Sequence, residues 1–191
     1  GPLARSLLSG GAPDLAALGD EGFVLRTVTA EGSPPDLVII GGRLRGTMYG
    51  AYTWLDHLGF RWYTNRKTWY PPGEELRLVA VDEQVTPPFM YREPFIFEAF
   101  DGDWAARNRV NSQRAHLDET HGGKVGVNGV HTFDKLIPAS LYEDHPDYFP
   151  LIGGKRVTGY VQRCLTNQGV VQTAADNLSA WMDENPDGKF F

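Results

Sequence analysis

Glu98 and Asp101 stand three residues apart at the end of an aromatic-rich run that begins at Phe89 and contains MYREPFIFEAF. Two carboxyl groups are what glycoside hydrolysis requires. One protonates the leaving oxygen while the other attacks the sugar or activates water, about 5–5.5 Å apart for retention and further for inversion. At the C-terminal end of a barrel strand such groups meet substrate. Elsewhere, Asp101 is a helix N-cap and Glu98 a solvated or ion-paired acid. His131 closes a second expected strand, Val130-His131-Thr132-Phe133. Its imidazole can donate to a hydroxyl or exchange a proton near neutral pH, although a lone histidine is more often structural.

Other chemistries find less support. His116, His121, His131 and His145 match no compact ligand pattern such as H-E-x-x-H, so no metal is expected. GGRLRGT at 41–47 is neither of the glycine-rich phosphate motifs. Its amides, with Arg43 and Arg45, could face an anion or nucleotide; a tight turn with close helix packing is the simpler role. Cys164 is the single cysteine, which excludes an internal disulfide and a cysteine zinc site; with no base beside it in sequence, it reads as a buried small residue. Trp104, Arg107, Asn108 and Asn111 recur at helical spacing, for which packing is the simpler explanation. No cofactor is expected.

These side chains need elements to position them. Phe23–Val28 and Asp36–Ile40 read as strands, the second as a buried one. Met48, Ala51, Tyr52, Leu55 and Leu58 mark one face of a helix that Gly59 stops. Phe60–Tyr63 reads as the next strand, so strand, helix and strand form a crossover that predicts parallel pairing. Leu76–Val81 alternates as a further strand, and Thr86-Pro87-Pro88 is a boundary. Beyond it come a strand over 89–100, a helix over 103–112 and a glycine-rich stretch over 115–130. The strand at His131 and a short helix capped by Ser140 follow. A hairpin over 148–157 turns at Gly153-Gly154. Thr166 or Asn167 caps a long helix with Val171, Ala174, Leu178, Trp181 and Met182 on one face, and Lys189-Phe190-Phe191 begins another strand.

Composition fits a soluble globular protein: 191 residues, 41% apolar and 22% charged. A net charge of −6 with scattered acids argues against nucleic-acid binding. There is no apolar run long enough for a membrane span. The opening GPLARSLLSGG is not a signal peptide.

Two long motifs carry a resemblance. GGRLRGTMYGAYTWLDHLGFRWYT with FMYREPF, and HTFDKLIPASLYEDHPDYFPLIGGKR with QRCLTNQGVV, resemble a bacterial family labelled domain of unknown function 4838. That family is similar in layout to the α-glucuronidases of glycoside hydrolase family 67 and the β-hexosaminidases of family 20. The resemblance runs from Leu18 to Phe191. It implies an α/β accessory domain, here residues 1–86, followed by a (β/α)8 TIM-type barrel, of which residues 87–191 form the N-terminal part. A full barrel takes about 250 residues. The resemblance also sets Arg92 where family 20 enzymes place an arginine that grips sugar hydroxyls, a task its fork of donors suits. The alternative is an ion pair with Glu93 or another acid.

The expectation is therefore a fragment of a carbohydrate-active, glycoside-hydrolase-like protein that binds an oligosaccharide or polysaccharide. Arg92, Glu98, Asp101 and His131 line one side of its site. In the related hydrolases the catalytic carboxylates lie on later strands, so here they are expected beyond Phe191 and the fragment alone is expected to be inactive. The alternative is a non-catalytic glycan-binding or scaffolding module. By the same resemblance the protein is expected to be secreted, periplasmic or cell-surface.

Overall fold

The computed structural model describes residues 13–73, 80–127 and 131–186. They form two compact units, Gly1–Val125 and Gly126–Phe191. Both are mixed α/β with small sheets, and there is no closed barrel among the described residues.

The first unit is built on a three-stranded antiparallel sheet of β1 (Phe23–Val28), β2 (Asp36–Gly41) and β5 (Asp82–Val85), in the order β2-β1-β5. Phe23 faces Gly41 on one side and Val85 on the other. Side chains alternate across the sheet. Val24, Val38 and Ile40 pack with Leu18 on one face, while Phe23 and Leu25 pack with Tyr49 on the other. The second face is covered by α1 (Gly46–His57). Gly59 at φ 93° stops that helix: Phe60 N donates to Leu55 O and Gly59 N to Asp56 O, both at 3.0 Å, the paired bonds of a Schellman turn.

The expected stripe along α1 is only partly realised. The buried residues are Gly46 at its start and Tyr49 and Gly50, which meet the sheet, while Met48 and Tyr52 pack against a third cluster around Trp104. A helix clamped on two sides does not show one apolar stripe. Gly50 lies so close to the sheet that a Cβ there would sit 2.7 Å from Ile39 Cγ2.

The expected parallel crossover does not form. β3 (Arg61–Thr64) makes a separate antiparallel hairpin with β4 (Lys67–Trp69). The carbonyl of Trp62 in β3 instead accepts the Trp104 indole N–H at 3.0 Å and the Asn108 amide at 3.4 Å. The strand expected over 76–81 lies mostly outside the described residues, and β5 begins just after it.

Nor do residues 89–100 form a barrel strand. Phe95 takes φ 50°, a left-handed value that breaks an extended run, and Phe97–Phe100 coil into a 3-10 turn. Phe95 is held there by edge-on contact with Phe100 and by the Arg114 guanidinium 5.1 Å from its ring centroid. Helix α2 (Gly102–Arg107) is shorter than expected and carries Trp104, Ala105 and Ala106 into the third cluster.

In the second unit, His131 and Thr132 lead into the short helix α3 (Phe133–Leu136), so the strand expected there is absent; Val130 lies outside the described residues. The expected hairpin is present as β6 (Leu151–Ile152) and β7 (Lys155–Arg156), with Gly153 and Gly154 both at positive φ. Helix α4 (Gln168–Glu184) is capped by Asn167, whose side chain accepts from Gly169 N at 2.8 Å. Its inward face carries Val170, Ala174 and Trp181, while Val171 and Met182 are exposed. The face begins one residue earlier than the pattern suggested because Gly169 and Val170 seat directly against Tyr148 and its neighbours. The strand expected at 189–191 lies outside the described residues. Among the described residues no helix is long and apolar enough to cross a membrane.

Candidate functional site

Arg92 lies in the first unit, in a buried polar cluster centred on an acid with no signal in the sequence, Glu21. Glu21 Oε2 binds Arg92 Nη2 at 2.8 Å, and Oε1 accepts from Arg45 Nε and from Asn111 Nδ2, each at 2.8 Å. The remaining donors of Arg92 go to Arg109 O, Phe89 O and the Tyr49 hydroxyl. Its guanidinium fork is thus occupied by internal partners, and its ion-pair acid is Glu21. Glu93 instead accepts the Tyr91 hydroxyl and lies 3.9 Å from Arg114. Burial raises the Tyr49 hydroxyl above its ordinary range, with the Glu21 charge adding to the effect.

Arg45 also donates to Gly122 O at 2.7 Å, and the amides of Arg45 and Gly46 both donate to Asp20 O. The Arg45 side chain and the amides of Arg45 and Gly46 are therefore already engaged within the fold. Its glycines serve close packing: a Cβ on Gly42 would lie 1.9 Å from Gly19 O, and one on Gly46 would lie 2.3 Å from Gly22 O. The packing role holds for Trp104, Asn108 and Asn111 as well; Asn111 is fully buried with its amide oxygen accepting from Arg92 N.

Asp101 is the N-cap of α2, accepting from Trp104 N at 2.8 Å. Glu98 sits within the 3-10 turn, half-buried, and follows the exposed Phe97 in the chain. His121 joins two carboxylates, with Nδ1 2.9 Å from Asp118 and Nε2 3.1 Å from Asp103, and belongs to a capping box. His145 stacks on Tyr148 at 4.6 Å between centroids. Among the described residues no three His, Cys, Asp or Glu side chains gather in a way that could hold a metal ion. Cys164 is half-buried rather than buried; its thiol is lowered from the ordinary range first by the Thr166 hydroxyl and then by Arg156.

His131 lies in the second unit, where it lines a cleft of about 360 Å³ with Phe133, Asp134, Tyr160, Val161 and Gln162. The cleft is built from two segments: the start of α3 and the loop at 160–162. One residue holds them together. Arg163, with only 1% of its side chain exposed, donates to Asp134 Oδ1 at 2.6 Å, to Val161 O at 2.7 Å and to Ile137 O at 3.0 Å, and stacks over Phe149. His131 is exposed and takes φ 58°, a strained value for a non-glycine residue. Tyr160 is fully exposed.

Carboxylate, imidazole, amide and two aromatic rings around an open cleft are a set suited to polyhydroxylated ligands. Hydroxyls find acceptors and donors, while ring C–H faces find aromatic surface. Of the residues lining this cleft, sequence reasoning singled out His131 and not Phe133, Asp134, Tyr160 or Gln162. The available signal was Gly159-Tyr160, an aromatic beside a turn glycine.

Residues 62–191, more than half of the chain, match the family model described as Domain of unknown function (DUF4838). Residues 4–54 match the model described as Glycosyl hydrolase family 67 N-terminus. No curated protein and no solved structure matches the chain.

Proposed function

The chain belongs to the DUF4838 family, and from that premise we propose that it is the glycan-binding part of a carbohydrate-active, glycoside-hydrolase-like protein. The family 67 N-terminal match supports the glycoside-hydrolase context. The observation that carries the reading is the cleft of the second unit, with Tyr160 and Phe133 as apolar surface and His131, Asp134 and Gln162 as polar contacts. His131 is its ligand-binding histidine. Glu98, beside exposed Phe97, is a further substrate contact on the first unit. Arg92 and Asp101 act by shaping the first unit through the partners already described.

Hydrolysis needs two carboxyl groups across the bond. The layout of the related hydrolases supports a reacting pair outside residues 1–191; within them Asp134 is held by Arg163 and Asp101 by a helix end. Residues 1–86 then act as the accessory region and 87–191 as the start of the catalytic one. Polymeric glycans are met outside the cytoplasm, which favours a secreted, periplasmic or cell-surface protein. The second reading, a non-catalytic glycan-binding or scaffolding module, is favoured by those same internal commitments of the carboxylates.

Calorimetric titration of the chain with a panel of neutral and acidic oligosaccharides tests the proposal. Binding that weakens roughly tenfold in Tyr160→Ala is expected. A folded protein that binds none of the panel would sink it. Chromatographic assay of the same mixtures separates the two readings, since release of shorter sugars by this chain contradicts an external carboxylate pair.

A further inference from the structure

The charges around the second-unit cleft are arranged asymmetrically. Arg163, the cation of the ion pair at its edge, is buried, and its guanidinium is held by Asp134, Val161 O and Ile137 O. Asp134, the anion, has 64% of its side chain exposed, and no second partner for its other oxygen exists among the described residues. The ligand therefore meets the negative end of the pair. Lys135, next in sequence, is turned away to the Trp181 ring, 3.3 Å from its centroid. Among the described lining residues only His131 can carry positive charge; Gln162 offers a neutral amide.

Resting on the glycan-binding reading, we propose that this cleft selects neutral, hydroxyl-rich pyranosides and discriminates against uronates. An exposed carboxylate and an amide suit vicinal hydroxyls, which can donate to both. A sugar carboxylate in the same place would face Asp134 with no lysine or arginine among the described lining residues to offset it, and juxtaposed like charges are a source of discrimination. The cleft then takes a neutral stretch of chain, and any acidic branch points away from it.

The test compares cellotetraose with tetragalacturonate, equal in number of pyranose rings, by calorimetry at pH 7.5 and low salt. Cellotetraose is expected to bind at least about tenfold more tightly. The variant Gln162→Lys, which places a cation at an exposed position of the cleft, should narrow or reverse that ratio. Should the variant fail to fold, added salt on the unaltered protein must narrow the gap by screening. Equal or tighter binding of tetragalacturonate overturns the selectivity and leaves glycan binding standing. Binding of neither overturns both.

Discussion

Glu21 and Arg92 meet at 2.8 Å in a pair whose carboxylate is shared with Arg45 and Asn111. This cluster ties the turn before β1, the helix entry at Arg45, the chain after Pro88 and the loop at Gly122 into one unit. With every polar partner supplied, the charges are tolerated away from water; with one removed they are not.

Glu21→Ala leaves the buried guanidinium of Arg45 and the half-buried one of Arg92 without their acid. The expected loss of stability is about 3–5 kcal/mol, read as a lower urea midpoint for the first unit. A loss below about 1 kcal/mol would mean that the cluster adds little.

Gly42→Ala and Gly46→Ala place methyl groups against backbone carbonyls at distances no relaxation of a side chain can relieve. Each is expected to cost roughly 1–3 kcal/mol. Gly123→Ala provides a contrast, since there the penalty comes from positive φ alone, with open space around the new methyl. Thermal melts of the three proteins check the order.

Asp118 is held below the usual carboxylate range first by the Thr120 hydroxyl and backbone amide, and further by His121. A depressed folded value means that its contribution is present above the unfolded carboxyl pKa of about 3.9 and is lost as pH falls through the lower folded value. Asp118→Asn should therefore flatten the acid limb of the stability profile. An unchanged acid limb in a urea-midpoint series contradicts this.

Tyr49 has the opposite sign and window. Burial raises its hydroxyl, so its contribution is complete below the unfolded value of about 10 and is lost as pH rises through the folded one. Tyr49→Phe should remove that alkaline loss, at the expense of the bond to Arg92. Tyrosinate absorbance followed against pH will show one late-titrating tyrosine fewer in the variant.

Arg163→Met removes the charge that joins Asp134 to the carbonyls of Val161 and Ile137. The cleft segments should loosen, with faster amide exchange across 160–163 and a loss of about 1–3 kcal/mol as the carbonyls of Ile137 and Val161 lose their donor. Amide protection like that of the unaltered protein would show that the cleft is held by packing alone.

Local pattern decided much of what was read correctly. β-Branched and apolar runs placed β1 and β2, Gly59 and Asn167 marked helix ends, Gly153-Gly154 marked a hairpin, and two long motifs identified the family. Each depends on neighbours a few residues away, so each is legible in one dimension. Tertiary structure alone decided the rest. Phe95 is kept out of a strand by Phe100 and Arg114, β3 turns away from the sheet where Trp104 takes its carbonyl, and α1 is packed on two sides. Glu21 has no sequence signal because its three partners are distant in the chain, and Arg163 and Tyr160 acquire their roles only when the loop folds against α3. Charge pairing and cleft shape are set by proximity in space, which residue order does not record.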